Sequence, residues 1–390
     1  MENEDKKLKS IFFVLSGPSG VGKTTATKSL VKLGFSMPPK ITNRALKPSD
    51  NPDELISVER DSFETVVAQD ESALQFSRHG NKYALLNINH EKFTGGKLCV
   101  QAIPPHYVSE LREKYPSEFI FVSVRLTADQ QVILARLEDR NDIVSENEKL
   151  SRLQTLNFGG TPDIDYYLNA DRTPEEVVTS IVQLSRRYER GIAFDFIGKR
   201  EKEILLEIQK LASALNTPIA LFGGVSSYIY GADRVPTDID IIVSTDTLQP
   251  FINLLEKFQP EEATKEKIIV GKLDLRLSPV RIGNKELGEV WHYDELAQKR
   301  SRPLPLGDLL LDFVSPEDML VMKAALQRGK DRGKFDVEDA RDILRSNSLV
   351  LDMSYIELRA TMCNVDKKVL SFLGVTSNIN RLASGSISPP

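Results

Sequence analysis

Apolar positions in the first half of the chain come as short continuous runs separated by amphipathic stretches. Residues 11–15 (IFFVL) form such a run and end in glycine-rich sequence, the pattern of a strand buried on both faces. A helix follows from about Lys23 and turns Leu30, Val31 and Leu33 towards the core. Further strands are predicted at 97–102, 119–126 and 166–169 (YYLN), and helices at 62–69, 106–114, 128–140, 146–156 and 174–187. Proline and early glutamates in TPEEVV mark the start of the last helix. Strands alternating with helices predict an α/β domain over residues 1–188, a parallel sheet covered on both faces.

The rhythm then changes. Residues 199–215 place Ile204, Leu205, Ile208, Leu211 and Leu215 on one helical face, and 189–216 reads as a linking helix. From Thr217 a second αβ unit is predicted over 217–300: strand IALF, helix through SSYIYG, strand IDIIVS, helix PFINLLEKF, then strands IIV and LDLRL. Residues 301–375 read as a helical part, with SPEDMLVMKAAL as its start signal. The small, polar, proline-ended stretch 376–390 is expected to be disordered. No internal repeat is visible.

Composition narrows the classes without choosing among them. In 390 residues, 41% hydrophobic and 27% charged residues are ordinary for a globular protein, and the length suits two or three domains. A net charge of −5 gives the whole molecule no general attraction for nucleic acid. Cys99 and Cys363 are too few and too far apart for a disulfide framework or a cysteine-based zinc site. Four histidines lack metal-ligand spacing, and Trp291 reads as core or lid packing. The opening MENEDKKLKS is charged and the apolar run after it is too short for a signal segment, so a cytoplasmic location is expected.

Residues 17–24, GPSGVGKT, fit G-x-x-x-x-G-K-[ST] between a strand and a helix. Glycines let backbone N–H groups wrap phosphates without intruding side chains, and the helix N-terminus adds partial positive charge. Gly17, Ser19, Gly20, Val21, Gly22, Lys23, Thr24 and Thr25 are therefore the predicted nucleotide-binding residues, with Lys23 reaching the β/γ-phosphates and Thr24 holding Mg2+. ATP is the expected phosphate donor.

Around this loop, Thr42–Arg44, HGNKY at 79–83, ILARLEDR at 133–140 and DYYLNADRTPEEVV from Asp165 follow one another as in guanylate kinases. Residues from about 10 to 187 thus resemble guanylate kinases, and are equally similar to ribose bisphosphate phosphokinases. The resemblance implies a three-layer P-loop kinase fold. It implies that Arg44, with Tyr83, touches the acceptor's phosphate and that Arg136, Arg140 and Arg152 close over the transferring phosphoryl group. Asn169 would lie near the adenine. The sequence departs from the guanylate kinase pattern at Lys47, Leu55, Gln75, Tyr83–Leu85, Gln101, Ala102 and Pro104. A site without the polar groups that read guanine loses discrimination for it, so a phosphorylated small molecule other than GMP is the expected acceptor.

In the second half, Gly223-Gly224 ends a strand and opens a helix, and Asp238 and Asp240 stand two residues apart on the next strand, on one face. Two such carboxylates call for a shared cation, and Mg2+ with oxygen ligands suits them. Asp274 in the alternating strand KLDLRL is an available third carboxylate. This constellation resembles the nucleotidyltransferases of the DNA polymerase β type, an α+β fold. The resemblance implies that Asp238, Asp240 and Asp274 bind Mg2+ and that Gly223, Gly224 and Ser226 hold the triphosphate. The stretch SPEDMLVMKAALQRGKDRGKFDVEDARDIL looks like that of stand-alone nucleotidyltransferases of toxin–antitoxin and abortive-infection systems, which implies that Lys323 faces the phosphates and that Asp336 or Asp339 supports the site. The cluster Arg328, Lys330, Arg332, Lys334 is a candidate for gripping a backbone such as that of tRNA. Two functions follow. One is a two-headed enzyme that transfers both phosphoryl and nucleotidyl groups. The other is a nucleotidyltransferase acting on RNA or protein, with a kinase domain that only senses nucleotide.

Overall fold

The computed structural model describes residues 8–46, 50, 54–78, 80–138 and 164–374. The expectations for Lys47, Arg140, Arg152, the helix at 146–156 and the tail at 376–390 lie outside these residues. The chain divides into two compact units, Met1–Ser185 and Arg186–Pro390.

The first unit is α/β. β1 (Ser10–Ser16) is followed by α1 (Lys23–Lys32), then by the short strands β2 (Lys40–Thr42) and β3 (Leu55–Ser57). α2 (Phe63–Ala68), β4 (Leu74–Arg78), β5 (Asn81–Leu85), β6 (Leu98–Ala102), α3 (Val108–Lys114) and β7 (Phe119–Thr127) come next. α4 (Gln130–Glu138), β8 (Tyr166–Asn169) and α5 (Pro174–Ile192) complete the order. A four-stranded sheet runs β6-β1-β7-β8 with every pairing parallel. β1 is buried along its whole length because both faces are covered. Phe12 and Val14 pack with Val108 and Leu111 of α3 and with Leu74, Phe76 and Leu85, while Phe13 faces Phe35 just after α1. A second, mostly antiparallel sheet, β3-β2-β5-β4, buries Ile41 and Ala84 against Phe63 and Val67 of α2. α5 opens with a reciprocal cap: Glu176 N donates to Thr173 Oγ1 and Thr173 N to the Glu176 carboxylate.

The second unit is α+β. After α6 (Lys199–Ala214), β9 (Ile219–Phe222) leads directly into α7 (Gly223–Ile229) and β10 (Ile239–Val243). α8 (Gln249–Leu255), β11 (Glu262–Ala263), β12 (Lys267–Val270), β13 (Leu273–Leu277), β14 (Val280–Arg281) and β15 (Val290–Trp291) follow. Then come α9 (Glu295–Arg300), β16 (Arg302–Leu306) and β17 (Leu309–Phe313). The chain ends in α10 (Pro316–Leu326), α11 (Asp336–Ser346), α12 (Met353–Met362) and α13 (Asp366–Phe372). Seven strands form one mixed sheet in the order β11-β12-β13-β10-β9-β17-β16.

The part expected to be helical from residue 301 thus begins with a hairpin that joins the sheet. Pro303 and Pro305 read against a strand, but β16 is an edge strand and tolerates the missing N–H groups. α10 is buried on every side from Pro316 to Ala325 and packs with α7, α11, α12 and α13. Trp291 is fully buried, and its Nε1 donates to Asp318 at 2.7 Å.

Candidate functional site

In the first unit, β1 ends at the phosphate loop and α1 begins at Lys23. Gly17, Gly20 and Gly22 have φ of +135°, +86° and +101°, which only glycine adopts without strain. A side chain at Gly17 would also collide with the Leu126 carbonyl. Lys23 Nζ folds back onto the loop, donating to Gly17 O at 2.8 Å and Pro18 O at 2.7 Å. Val21 is buried, Ser19 and Thr24 are half-buried, and Thr25 is exposed. Beside the loop lies a cleft of 230 Å³ whose walls include Gly20, Gly22, Thr25, Arg136 and Arg172. Arg136 is held at that wall by a 2.9 Å bond from Nη2 to the Ala170 carbonyl. Asn169 is exposed, and its Oδ1 accepts from Asp171 N at 2.8 Å. Arg172 was not foreseen, although it follows the YYLN strand by only three residues.

Arg44 stands at the end of β2, where its Nε donates to the Tyr83 hydroxyl at 3.0 Å. Its two terminal nitrogens grip Asp50 at 2.7 and 2.9 Å, so an internal carboxylate occupies the fork expected to meet a phosphate. The bond to Asp50, followed by that to Tyr83 against the cost of burial, raises the guanidinium pKa and fixes its charge. Gln101 is wired into the interior: it accepts from Lys40 Nζ at 3.2 Å and donates to Pro38 O at 3.0 Å. Lys40 is itself paired with Glu54 at 3.0 Å, and all three side chains are buried. Leu55 is buried and Gln75 exposed. The positions that depart from the guanylate kinase pattern therefore include parts of a satisfied buried network, which a single sequence gives no means of pairing.

In the second unit the Gly-Gly turn and the acids come together. Gly223 has φ +68°, and a β-carbon there would run into the Asp240 carboxylate. The backbone N–H of Gly224 supports that carboxylate. β10 lies between β9 and β13 with Asp240 opposite both Phe222 and Asp274, so Asp240 and Asp274 share a face of the sheet. Asp238, just before β10, is exposed. Desolvation first, then the charges of Asp238 and Asp274, push Asp240 up to about 6.

Asp274 is buried. Its Oδ2 accepts from Arg276 at 2.7 Å, with Lys267 at 3.8 Å, while its Oδ1 has no hydrogen-bond partner. Among the described residues, no group of three or more His, Cys, Asp or Glu side chains is gathered for a metal ion. The donor set still fits Mg2+: it is all oxygen, it is crowded with like charge, and one buried acceptor is unpaired. Arg276 supplies the countercharge in this arrangement. It was not foreseen, though its place two residues beyond Asp274 on a strand puts it on the same face.

Two expectations need correction. Ser226 is fully buried and donates to Leu221 O at 2.9 Å, so it secures the strand-to-helix turn and does not face the triphosphate. Lys323 is buried between Asp336 at 3.0 Å and Asp339 at 2.9 Å, and α10 is too deep for its lysine to reach outwards. Both acids support Lys323, and Asp336 also binds Arg328 at 2.6 Å. In the expected basic cluster, Arg328 is thereby neutralised, and Lys330 lies 3.9 Å from Glu338.

No protein-family model matches the chain. Its N-terminal third is 27% identical over 138 residues to a guanylate kinase of Mycoplasma pneumoniae, covering 33% of this chain and 56% of that protein. The chain thus spans about half the length of that relative. Among solved structures, a guanylate kinase from Anaplasma phagocytophilum superposes with a TM-score of 0.36 at 19% identity, over 46% of this chain and 86% of that one. The antibiotic-resistance factor ANT(2'')-Ia superposes with a TM-score of 0.31 at 13% identity, over 46% of this chain and 98% of that one. Among the described residues, no helix is long and apolar enough to cross a membrane.

Proposed function

We propose that the chain is a nucleotide-using transferase with two heads. The first unit moves a phosphoryl group from ATP to a small phosphorylated acceptor other than GMP. The second moves a nucleotidyl group with Mg2+. The phosphate loop carries the first assignment, because three left-handed glycines, Lys23 at the helix start and Arg136 across the cleft converge there. Arginine and lysine at that point match the charge spread over the transferring phosphoryl oxygens. The second assignment rests on Asp240 and Asp274 side by side below the Gly223-Gly224 turn, with Asp238 beside them. Mg2+ on these oxygens supplies charge neutralisation at the triphosphate. The protein's part is to hold the carboxylates under the turn, with the Gly224 N–H supporting Asp240.

Incubation with γ-labelled and α-labelled ATP reads the heads separately. Lys23→Ala is expected to abolish γ-label transfer and spare α-label transfer, and Asp238→Ala to do the reverse. Transfer of γ-label that survives Lys23→Ala removes the kinase assignment. A panel of acceptors including tRNA, giving neither α-label incorporation nor pyrophosphate release, removes the nucleotidyltransferase.

One observation favours a second reading, in which the first unit binds nucleotide without transfer: the Arg44 fork is already filled by Asp50. ATP binding that Lys23→Ala abolishes, with no γ-label product from any acceptor, selects it.

A further inference from the structure

We infer that Arg234, held against Phe335 beside the Gly223-Gly224 turn, forms an anion subsite for the tail of a polyphosphate. The inference rests on the nucleotidyltransferase reading of the second unit and adds residues to it. Arg234 lies between α7 and β10, and its guanidinium carbon sits over the Phe335 ring, 4.7 Å from the centroid, with Lys330 Nζ over the same ring at 5.9 Å. Its Nη2 stands 3.6 Å from where a β-carbon on Gly224 would lie, and Asp238 Oδ1 stands 4.0 Å from the same point. The arginine therefore sits at the mouth of the Gly-Gly turn, on the side of the exposed acid.

What sets Arg234 apart is its partners. Arg187, Arg190, Arg276, Arg328 and Arg359 each give at least one donor to a carboxylate, a carbonyl or Asn347, although Arg276 also leaves its Nε unpartnered. Arg234 is half-buried, its Nε is shielded from solvent and has no hydrogen-bond partner, and no ion pair engages it among the described residues. The contact with Phe335 holds the guanidinium without using any of its five N–H donors. A planar fork held rigid with unused donors suits bidentate recognition of phosphate oxygens. A side chain at 224 would press on Pro236 at 3.2 Å and touch the guanidinium. Lys323, the expected phosphate ligand, is paired with Asp336 and Asp339, whereas Arg234 has no such partner among the described residues.

The test is calorimetric titration of inorganic tripolyphosphate, with Mg2+, into full-length protein carrying Lys23→Ala to silence the phosphate loop. Arg234→Met is expected to weaken binding by about ten- to a hundredfold, the loss of a charge-assisted pair of hydrogen bonds. Arg234→Lys is expected to recover part of this, and Phe335→Leu to lose about tenfold or less, the share of the stacking contact. Thermal melting of each variant separates a local effect from unfolding. Arg234→Met binding tripolyphosphate as tightly as its parent overturns the inference, as does a parent that does not bind. Asp238→Asn in the same background judges the underlying reading. Loss of the Mg2+ requirement only in that variant upholds the reading even if Arg234→Met has no effect, and binding insensitive to both Mg2+ and Asp238 removes it.

Discussion

At the scale of single residues, the second site stores unfavourable charge that a cation relieves. Asp240 titrates near 6 instead of 3.8, because burial and two neighbouring carboxylates oppose its ionisation. A carboxylate whose folded pKa is raised keeps a proton that the unfolded chain releases, so stability falls as pH rises from about 4 to about 6 and stays lowered above. The shift corresponds to a penalty on the order of 3 kcal/mol at neutral pH. In metal-free buffer, Asp240→Asn is therefore expected to raise the urea midpoint at about pH 7.5, with the gain vanishing at about pH 4. The same variant is expected to lose α-label transfer, and a metal-free wild type no less stable than the variant at neutral pH removes the argument. Gly223 gives a second expectation. Gly223→Ala meets both left-handed strain and the Asp240 carboxylate, whereas Gly288, with φ +64°, has open space around it. Gly288→Ala is expected to cost about 1 kcal/mol and leave transfer intact, and Gly223→Ala to cost more and abolish transfer.

At the scale of elements, a buried charge ties the helices to the strands in the second unit. Asp318, on α10 and fully buried, accepts from Trp291 Nε1, Tyr355 Oη, Arg359 Nε and the Ser315 hydroxyl, all between 2.7 and 2.9 Å. Arg359 continues to Asp294 and the His292 carbonyl, both at 2.8 Å. Removing one member strands the others without solvent, so Asp318→Ala is expected to cost about 3–5 kcal/mol. Denaturation followed by Trp291 fluorescence checks it, and a loss under about 1 kcal/mol contradicts the account.

The sequence announces the ends of these elements better than their partnerships. SPED and TPEE are visible caps, and IFFVL is a visible central strand, because each signal is local. β2 to β5 and the β16–β17 hairpin were not foreseen, since three-residue strands and strands with prolines gain their stability from non-local pairing. For the same reason, the acids of the second unit were legible from spacing while Arg276 was not. Its role depends on which neighbours it meets, and that exists only after folding.

At the scale of the whole molecule, the two proposed nucleotide sites on one chain need a reporter that tells them apart. The chain has a single tryptophan, and Trp291 lies in the second unit. Ligand that binds only the folded state adds RT ln(1 + [L]/Kd), about 2.7 kcal/mol at a hundredfold excess over Kd. ATP with Mg2+ is therefore expected to raise the Trp291 unfolding midpoint in the Lys23→Ala protein, where the phosphate loop is silenced. The rise is expected to shrink in Asp238→Asn, although Lys23 is intact there. A Trp291 shift that follows Lys23 and ignores Asp238 means that the tryptophan reports binding at the first unit, and that the second has no nucleotide site of its own. The double variant completes a cycle: if each substitution removes its own increment and the increments add, the sites bind independently, and any departure from additivity measures the free energy by which one head senses the other.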